Sequence, residues 1–279
     1  MNRVITPDLL KAFEKYLIED EKSKVTIEKY KRDIRRFVEY IDEQEVNKQL
    51  VLLYKTELEQ KYAPTSANSM LAALNAFFRY TGWFDCCVKQ LKIQKQAYCP
   101  PEKELTKEEY IKLIDTARQN GNERLSLIIQ TICGTGIRVS ELQFITVEAV
   151  KRGEAIVSCK GKRRVIFIVS ALRMKLLQYA KCCEIQFGPV FITRNGKVMD
   201  RSNIWREMKS LCRQAGVSSE KVFPHNLRHL FARTFYGVEK DIARLADVLG
   251  HTNINTTRIY IITTGEEHKR KLEEMKLVV

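Results

Sequence analysis

Three residues near the C-terminal end of this 279-residue chain combine types that suit chemistry on a phosphate group. His225, Arg228 and His229 follow Pro224 at positions i, i+3 and i+4, so a helix would place their side chains on one face. The planar guanidinium of an arginine matches phosphate oxygens, and a histidine can accept or donate a proton near neutral pH. The pattern favours a site for a transferring phosphoryl group over a helix face that packs on an acidic neighbour.

Two more basic residues, Arg138 and Lys160, lie where a fold alone does not require a positive charge. Arg138 follows a glycine-rich stretch at the start of a predicted helix, where the helix dipole disfavours a cation. It needs either a carboxylate partner, for which Glu141 is available, or a phosphate, and the sequence leaves both possibilities open. Lys160 lies at the predicted turn of a hairpin, where a solvated lysine is the simpler interpretation. Residues 162–164 nevertheless make this turn a basic surface suited to nucleic acid.

A third histidine and a tyrosine follow at a defined interval. His251 comes directly after Leu249 and Gly250, and Tyr260 lies nine residues further along. A tyrosine hydroxyl can act as a covalent nucleophile. The chain has 11 tyrosines, however, so residue type alone says little. The interval gains meaning only together with the other residues.

Helices dominate the elements that must position these residues. Four are predicted in roughly the first 90 residues, followed by a polar, basic linker that contains Pro100 and Pro101. The second part is predicted to contain further helices, one starting near Val139, a β-hairpin over 155–169 and a candidate short strand over 189–193. We expect a mainly α (α+β) fold with a helical domain at 1–96, a linker at 97–103 and a mixed helical domain with a small antiparallel sheet at 104–279.

The charge of the chain indicates a polyanionic partner. The sequence has 48 lysine and arginine residues against 34 aspartate and glutamate residues, a formal net charge of +14, and such a surface attracts nucleic acid. The eight cysteines include no Cys-x-x-Cys spacing, which favours buried thiols in a reducing compartment over a metal site. Because we find no signal peptide and no apolar run of membrane-spanning length, we expect a cytoplasmic protein without membrane contact.

Taken in their order along the chain, these sequence segments resemble the boxes of the tyrosine recombinase (phage integrase) family. Residues 134–142 resemble its first arginine box, and Lys160 on the basic hairpin resembles its catalytic lysine. Residues 225–229 resemble its histidine–arginine box, and residues 249–251 with Tyr260 resemble its terminal box. The helical first domain is similar to the family's core-binding (SAM-like) domain and the second to its catalytic domain. The resemblance therefore covers nearly the whole chain, which looks like the compact, Xer-like members.

The resemblance implies a site-specific recombinase that cuts and rejoins DNA strands without a metal or any other cofactor. Tyr260 is the implied nucleophile and forms a 3′-phosphotyrosine intermediate. A phenol is almost fully protonated at neutral pH, so it needs a proton acceptor. His225 is the nearest candidate acceptor and His229 is the alternative. The remaining implied roles are contact of Arg138, Arg228 and His251 with the phosphate, protonation of the leaving 5′ oxygen by Lys160, and support of the arginine box by Glu141.

The resemblance also implies partners. These are double-stranded DNA at specific core sites and further copies of the chain, which form a homotetramer around two duplexes, whereas the free protein is expected to be a monomer. The C-terminal segment 266–279 is either a docking segment for a neighbouring protomer or a frayed helix. Accessory directionality factors are further candidate partners. Leu230 and Arg233 stand where the family usually has small or hydroxyl residues, and no implied chemical role falls on either of them.

Two other functions share much of this pattern. A non-catalytic DNA-binding protein of the same fold needs the basic domains but not the full set of site residues. A type IB topoisomerase-like enzyme shares the chemistry and relaxes a single duplex. The order and spacing of the boxes favour recombination for integration, excision or resolution, and all six expected positions are filled, namely Arg138, Lys160, His225, Arg228, His251 and Tyr260.

Overall fold

The structure is a computed structural model that describes residues 3–42, 44–93, 104–159, 162–261 and 273–275. The chain forms two compact units, one spanning Met1–Lys95 and the other Gln96–Val279. The described residues form helices and, in addition, a single two-stranded antiparallel sheet. The prediction of a mainly α fold with a small antiparallel sheet is thereby confirmed.

The first unit is a bundle of four helices, followed by a single 3-10 turn at Phe84–Cys86. Polar side chains cap three of the helix starts; for example, the Thr6 hydroxyl accepts a hydrogen bond from the backbone N–H of Leu9. The core of the unit is aromatic, with the Phe13 and Phe77 ring centroids 5.2 Å apart in an edge-to-face arrangement. The helices are α1 (Pro7–Glu19), α2 (Lys24–Ile41), α3 (Lys48–Lys61) and α4 (Pro64–Tyr80).

The second unit carries the predicted site residues on a larger set of elements. A capping box formed by Thr106 and Glu109 begins its first helix. The elements are α5 (Lys107–Gln119), α6 (Glu123–Thr135), a 3-10 helix (Val139–Phe144), α7 (Val147–Arg152), β1 (Glu154–Cys159), β2 (Lys162–Phe167), α8 (Ser170–Cys182), α9 (Arg201–Ala215), α10 (Pro224–Glu239), α11 (Ile242–Leu249), α12 (Ile254–Arg258) and a 3-10 turn (Ile259–Ile261).

Three local features differ from the sequence-based expectation. The helix expected near Val139 is a six-residue 3-10 helix. Helix α7 was not predicted, because it has only six residues and ends at Gly153, whose φ of 84° stops the helix. The expected strand over 189–193 is wrong, since this segment makes only isolated bridges, between Thr146 and Pro189 and between Ile192 and Val198. Pro189 has no N–H to donate to a strand ladder.

No helix among the described residues is both long and apolar enough to cross a membrane.

Candidate active site

Helix α10 places its two histidines side by side. Pro224 occupies the first helical position, where the missing N–H of a proline costs no hydrogen bond. The His225 and His229 rings lie one helical turn apart, with centroids separated by 4.9 Å. Arg228 lies between them in sequence and is buried, so among these three residues it is the one that faces the interior. The face predicted from the sequence spacing is present in the structure.

Tyr260 lies among three imidazole rings. Its ring centroid is 4.3 Å from that of His229 and 5.6 Å from those of His225 and His251. The His251 ring is nearly parallel to the phenol, at an interplanar angle of 14°. Tyr260 is only 4% exposed and belongs to a small apolar cluster with Ala232, Leu245 and Leu249. The 3-10 turn after α12 thus brings this hydroxyl group against the histidine-bearing face of α10.

The Arg228 guanidinium connects three parts of the second unit. It donates to the backbone carbonyl of Gly136, to that of Leu249 at 2.7 Å, and to Nε2 of His251 at 3.0 Å. It also interacts electrostatically with Tyr260. Burial, followed by the charge of Arg138, lowers the pKa of Arg228 to about 10, so the guanidinium remains a cation at neutral pH. A fixed positive charge therefore lies directly beside the tyrosine.

The contacts of His251 determine its tautomer. An arginine can only donate hydrogen bonds, so Nε2 of His251 accepts from Arg228. The ring proton is then on Nδ1, which donates to the Thr257 hydroxyl oxygen at 2.9 Å. Partial burial, followed by the charges of Arg228 and Arg138, lowers the pKa of His251 to about 4. At neutral pH this neutral imidazole holds the Arg228 guanidinium in its place.

Arg138 has the carboxylate partner that the sequence offered, and it is also accessible. Its Nη1 donates to Oε1 of Glu141 at 2.9 Å, and its backbone N–H donates to Oε2 at 2.9 Å, while 40% of its side chain remains exposed. Glu141 is buried and also accepts from Arg164 at 2.5 Å. Burial would raise the pKa of Glu141, but the backbone N–H of Arg138 and the charge of Arg164 outweigh it and lower that pKa. An ionised carboxylate therefore orients Arg138.

The structure brings together five of the six predicted site residues. Arg138 is close enough for its charge to lower the pKa of His225, Arg228 and His251. Lys160 lies outside the described residues, and so does the C-terminal segment 266–279 apart from residues 273–275. The two strands that flank Lys160 pair antiparallel, with Glu154 opposite Phe167 at one end and Cys159 opposite Lys162 at the other.

Sequence reasoning missed two contributors to this arrangement, Thr257 and Arg164, and named His229 only as the alternative proton acceptor. Thr257 fixes the tautomer of His251, and His229 has the imidazole nearest to the phenol ring. Arg164 reaches Glu141, but in the sequence it is hidden within a basic run in which every residue looks solvated. Arg233, a departure from the family pattern, forms an ion pair with Glu104 and donates to the Leu105 carbonyl at 3.2 Å. It therefore fastens α10 to the segment that precedes α5.

Gly136 is expected to tolerate no side chain. Its φ is +64°, and a Cβ atom would lie 2.5 Å from Cδ1 of Phe231. Gly216 has a similar φ of +61° but open space around it, so Gly216→Ala measures the backbone strain alone. We expect Gly216→Ala to lower the free energy of unfolding by about 1 kcal/mol, and Gly136→Ala to lower it by about 1–3 kcal/mol more because of the clash. Urea denaturation of both variants tests this; equal losses would contradict it.

We expect the free energy of unfolding to decrease as the pH is lowered below the pKa of an unfolded histidine. Burial lowers the pKa of His229 to about 4, as it does for His251, whereas an unfolded histidine has a pKa of about 6.5. Between these values the unfolded chain binds protons that the folded chain does not, so the free energy of unfolding falls as the pH is lowered from about 6.5 towards 4. Denaturation at several pH values, with His229→Gln as the comparison, measures this. The variant should show a shallower decline, and an unchanged decline would argue against a neutral His229.

Comparisons with known proteins find similar sequences along most of the chain. The model of the phage integrase family matches residues 103–267, and that of the phage integrase N-terminal SAM-like domain matches residues 10–83. The tyrosine recombinase XerA of Thermococcus kodakarensis is 30% identical over 279 residues, which cover 97% of this chain and 96% of that protein.

Two solved structures show the same fold. XerH site-specific recombinase bound to its difH substrate superposes with a TM-score of 0.70 at 18% identity, over 95% of this chain and 84% of that one. A lambda integrase tetramer bound to a Holliday junction gives a TM-score of 0.71 at 19% identity, over 88% of this chain and 77% of that one. Because the family model spans more than half of the sequence and includes every residue of the site described above, the chain belongs to the phage integrase family, the tyrosine recombinases.

Proposed function

We propose that this tyrosine recombinase cleaves DNA through nucleophilic attack by the Tyr260 hydroxyl on a backbone phosphate. A bond forms between Oη and phosphorus while the bond from phosphorus to the 5′ oxygen breaks, which leaves a 3′-phosphotyrosine link and a free 5′ hydroxyl. The reverse step, with a 5′ hydroxyl from another strand, rejoins DNA and returns the proton to the phenol. The observation that carries this proposal is the position of Tyr260, surrounded by three imidazoles beside the buried Arg228.

The phenol proton needs an acceptor, and we assign it to His225. Partial burial, with the charges of Arg228 and Arg138, lowers the pKa of His225, so its imidazole is neutral and able to accept a proton at neutral pH. His225 is the exposed member of the group, so the proton can pass on to solvent. His229 is the alternative acceptor; its ring is nearer to the phenol but more buried.

The remaining site residues are assigned to the phosphate and the leaving group. Arg138 and Arg228 contact the non-bridging oxygens, whose charge must be held throughout the transfer. The exposure of Arg138 supports its role, because a phosphate can approach a guanidinium that Glu141 already orients. His251 holds Arg228 in this structure. For the hydrogen bond to the same phosphate that we assign to it, the ring must carry its proton on Nε2 and exchange its contact with Arg228 for one with the phosphate when DNA binds. Lys160 donates a proton to the 5′ oxygen as that oxygen departs.

DNA and further copies of the chain are the proposed partners. We assign DNA contacts to a core-binding domain at 1–96 and a catalytic domain at 104–279, joined by a linker at 97–103; the two compact units and the two family matches support this division. The net charge of +14 supports binding to double-stranded core sites. By analogy with the lambda integrase tetramer bound to a Holliday junction, four protomers hold two duplexes. The segment 266–279 is the proposed docking segment on a neighbouring protomer, and accessory directionality factors are further proposed partners. We propose that the protein acts on this DNA in the cytoplasm.

A covalent trapping assay tests the proposed reaction. The protein is incubated with a nicked duplex from which the short cleaved strand is lost by diffusion, and the mixture is denatured. We expect a DNA-linked protein band whose proteolytic digest yields the nucleotide on the peptide that contains Tyr260. A requirement for two matching sites in the formation of joined products distinguishes strand exchange from relaxation of a single duplex. Tight DNA binding without any covalent band on several candidate sites would overturn the proposal in favour of a non-catalytic protein.

A further inference from the structure

Arg164 lies outside the set of residues assigned above, yet it contacts two parts of the site. It is on β2, opposite Val157 of β1, and its side chain is only 12% exposed. One guanidinium nitrogen donates to Oε2 of Glu141 at 2.5 Å, and the other donates to the backbone carbonyl of Val248 at 2.7 Å. A single side chain therefore joins the hairpin to the arginine box and to the C-terminal end of α11.

The local backbone at Gly250 is fitted to this arginine. Gly250 ends α11 with a φ of +65°, and a Cβ atom there would lie 2.5 Å from Cδ of Arg164. The aliphatic part of Arg164 thus passes over a position that has no side chain. The next residue is His251, which holds Arg228. The approach of Arg164 to α11 is therefore one residue away from the contacts that orient the buried guanidinium.

Glu141 is the second point at which Arg164 enters the site. This buried carboxylate accepts from the Arg138 guanidinium through Oε1, and from the Arg138 backbone N–H and Arg164 through Oε2. Because a guanidinium is a planar fork, Arg164 can bond a carboxylate and a carbonyl at once. A lysine at this position keeps the charge but offers a single compact ammonium group, which is not pre-organised to hold both partners.

We infer that Arg164 is a positioning residue, which fixes the β1–β2 hairpin against the arginine box and the end of α11 so that the hairpin lysine, Lys160, meets the leaving oxygen. The inference rests on the proposed function for its catalytic consequence. Arg164 itself touches neither the phosphate nor the nucleophile in this assignment. Arg164 acts only by placing the groups that contact the DNA. A misplacement of such a group by about 1 Å can lower a rate by about 10²-fold.

The test compares two DNA substrates that differ at the leaving atom. In one the bridging 5′ oxygen is intact, and in the other it is replaced by sulfur, which leaves without a proton. On the oxygen substrate we expect Arg164→Lys to lower the rate of covalent complex formation about 10- to 100-fold. The sulfur substrate should restore most of the rate, as it should for Lys160→Ala. Arg163→Lys makes the same charge-preserving change at the neighbouring, exposed position and should leave the oxygen-to-sulfur rate ratio of the unmodified protein unchanged.

Hydrogen exchange gives a second measurement that does not depend on activity. If Arg164 joins β2 to α11, Arg164→Lys should accelerate amide exchange in β2 and around His251, whose N–H is bonded to the Ala246 carbonyl. Equal slowing on both substrates, or unchanged exchange at these amides, would overturn the inference even while the unmodified protein still forms a covalent complex. Failure of the unmodified protein to form that complex on either substrate would instead refute the proposed function, and the exchange measurement would then decide the structural role of Arg164 alone.

Discussion

Replacing Tyr260 with phenylalanine is expected to abolish covalent attachment to DNA while leaving DNA binding nearly unchanged. The substitution removes only the hydroxyl oxygen, and the ring keeps its place among the three imidazoles and in the apolar cluster with Leu245 and Leu249. Without an oxygen at this position no bond to phosphorus can form, so the loss should be complete rather than partial. Denaturing gels of trapped complexes measure attachment, and mobility shifts at fixed salt measure binding.

Tyr236→Phe is the matched control for this substitution. Tyr236 is a tyrosine of α10 that packs against the same apolar cluster, and its ring lies 5.7 Å from the Lys240 ammonium group. The same chemical change at this position should leave covalent attachment at the level of the unmodified protein. A covalent band that persists in Tyr260→Phe would show that another residue is the nucleophile.

Replacing Arg228 is expected to affect the reaction and the folded state together. Loss of a contact that stabilises developing charge commonly lowers a rate by about 10²–10³-fold. Arg228→Ala also leaves the buried carbonyls of Gly136 and Leu249 without their donor, at a cost of about 1–3 kcal/mol for each group that stays unsatisfied. We therefore expect Arg228→Ala to be both slow and markedly less stable.

Two comparison variants separate these effects. Arg152→Ala removes one exposed positive charge from the end of α7 and controls for the change in net charge. Arg228→Lys retains the cation but not the fork, so it should recover some stability and little of the rate. Single-turnover cleavage at saturating DNA and urea denaturation report the two quantities. If Arg228→Ala kept the cleavage rate while losing stability, Arg228 would be a structural residue and not a phosphate ligand.

The sequence predicted the elements whose signals are local. Helix α10 begins with a proline at its first position, and its two histidines and its arginine follow at helical spacing, so its start and its histidine-bearing face could be predicted from neighbouring residues. The hairpin was predictable because alternating apolar residues flank a glycine. The 3-10 helix at Val139–Phe144 was not, because its start depends on one side-chain interaction between Arg138 and Glu141.

Contacts between distant parts of the chain lay beyond sequence reasoning. Arg164 bonds Glu141 across 23 residues and Val248 across 84, and no spacing rule links such positions. The same holds for Arg228, whose partners Gly136 and Leu249 lie 92 and 21 residues away. Sequence could name the residues with chemical potential, but only the folded arrangement shows that the phosphate-binding arginines are themselves held by backbone carbonyls and by a neutral imidazole.

Tyr260 is only 4% exposed, and this burial bears on how the protein reacts with DNA outside its cognate sites. A side chain this buried offers little surface to a phosphodiester that merely collides with the protein. We therefore expect covalent attachment to depend on the way in which binding at a cognate site presents the phosphate, so that selectivity resides in the presentation of the scissile bond as well as in the sequence that is bound.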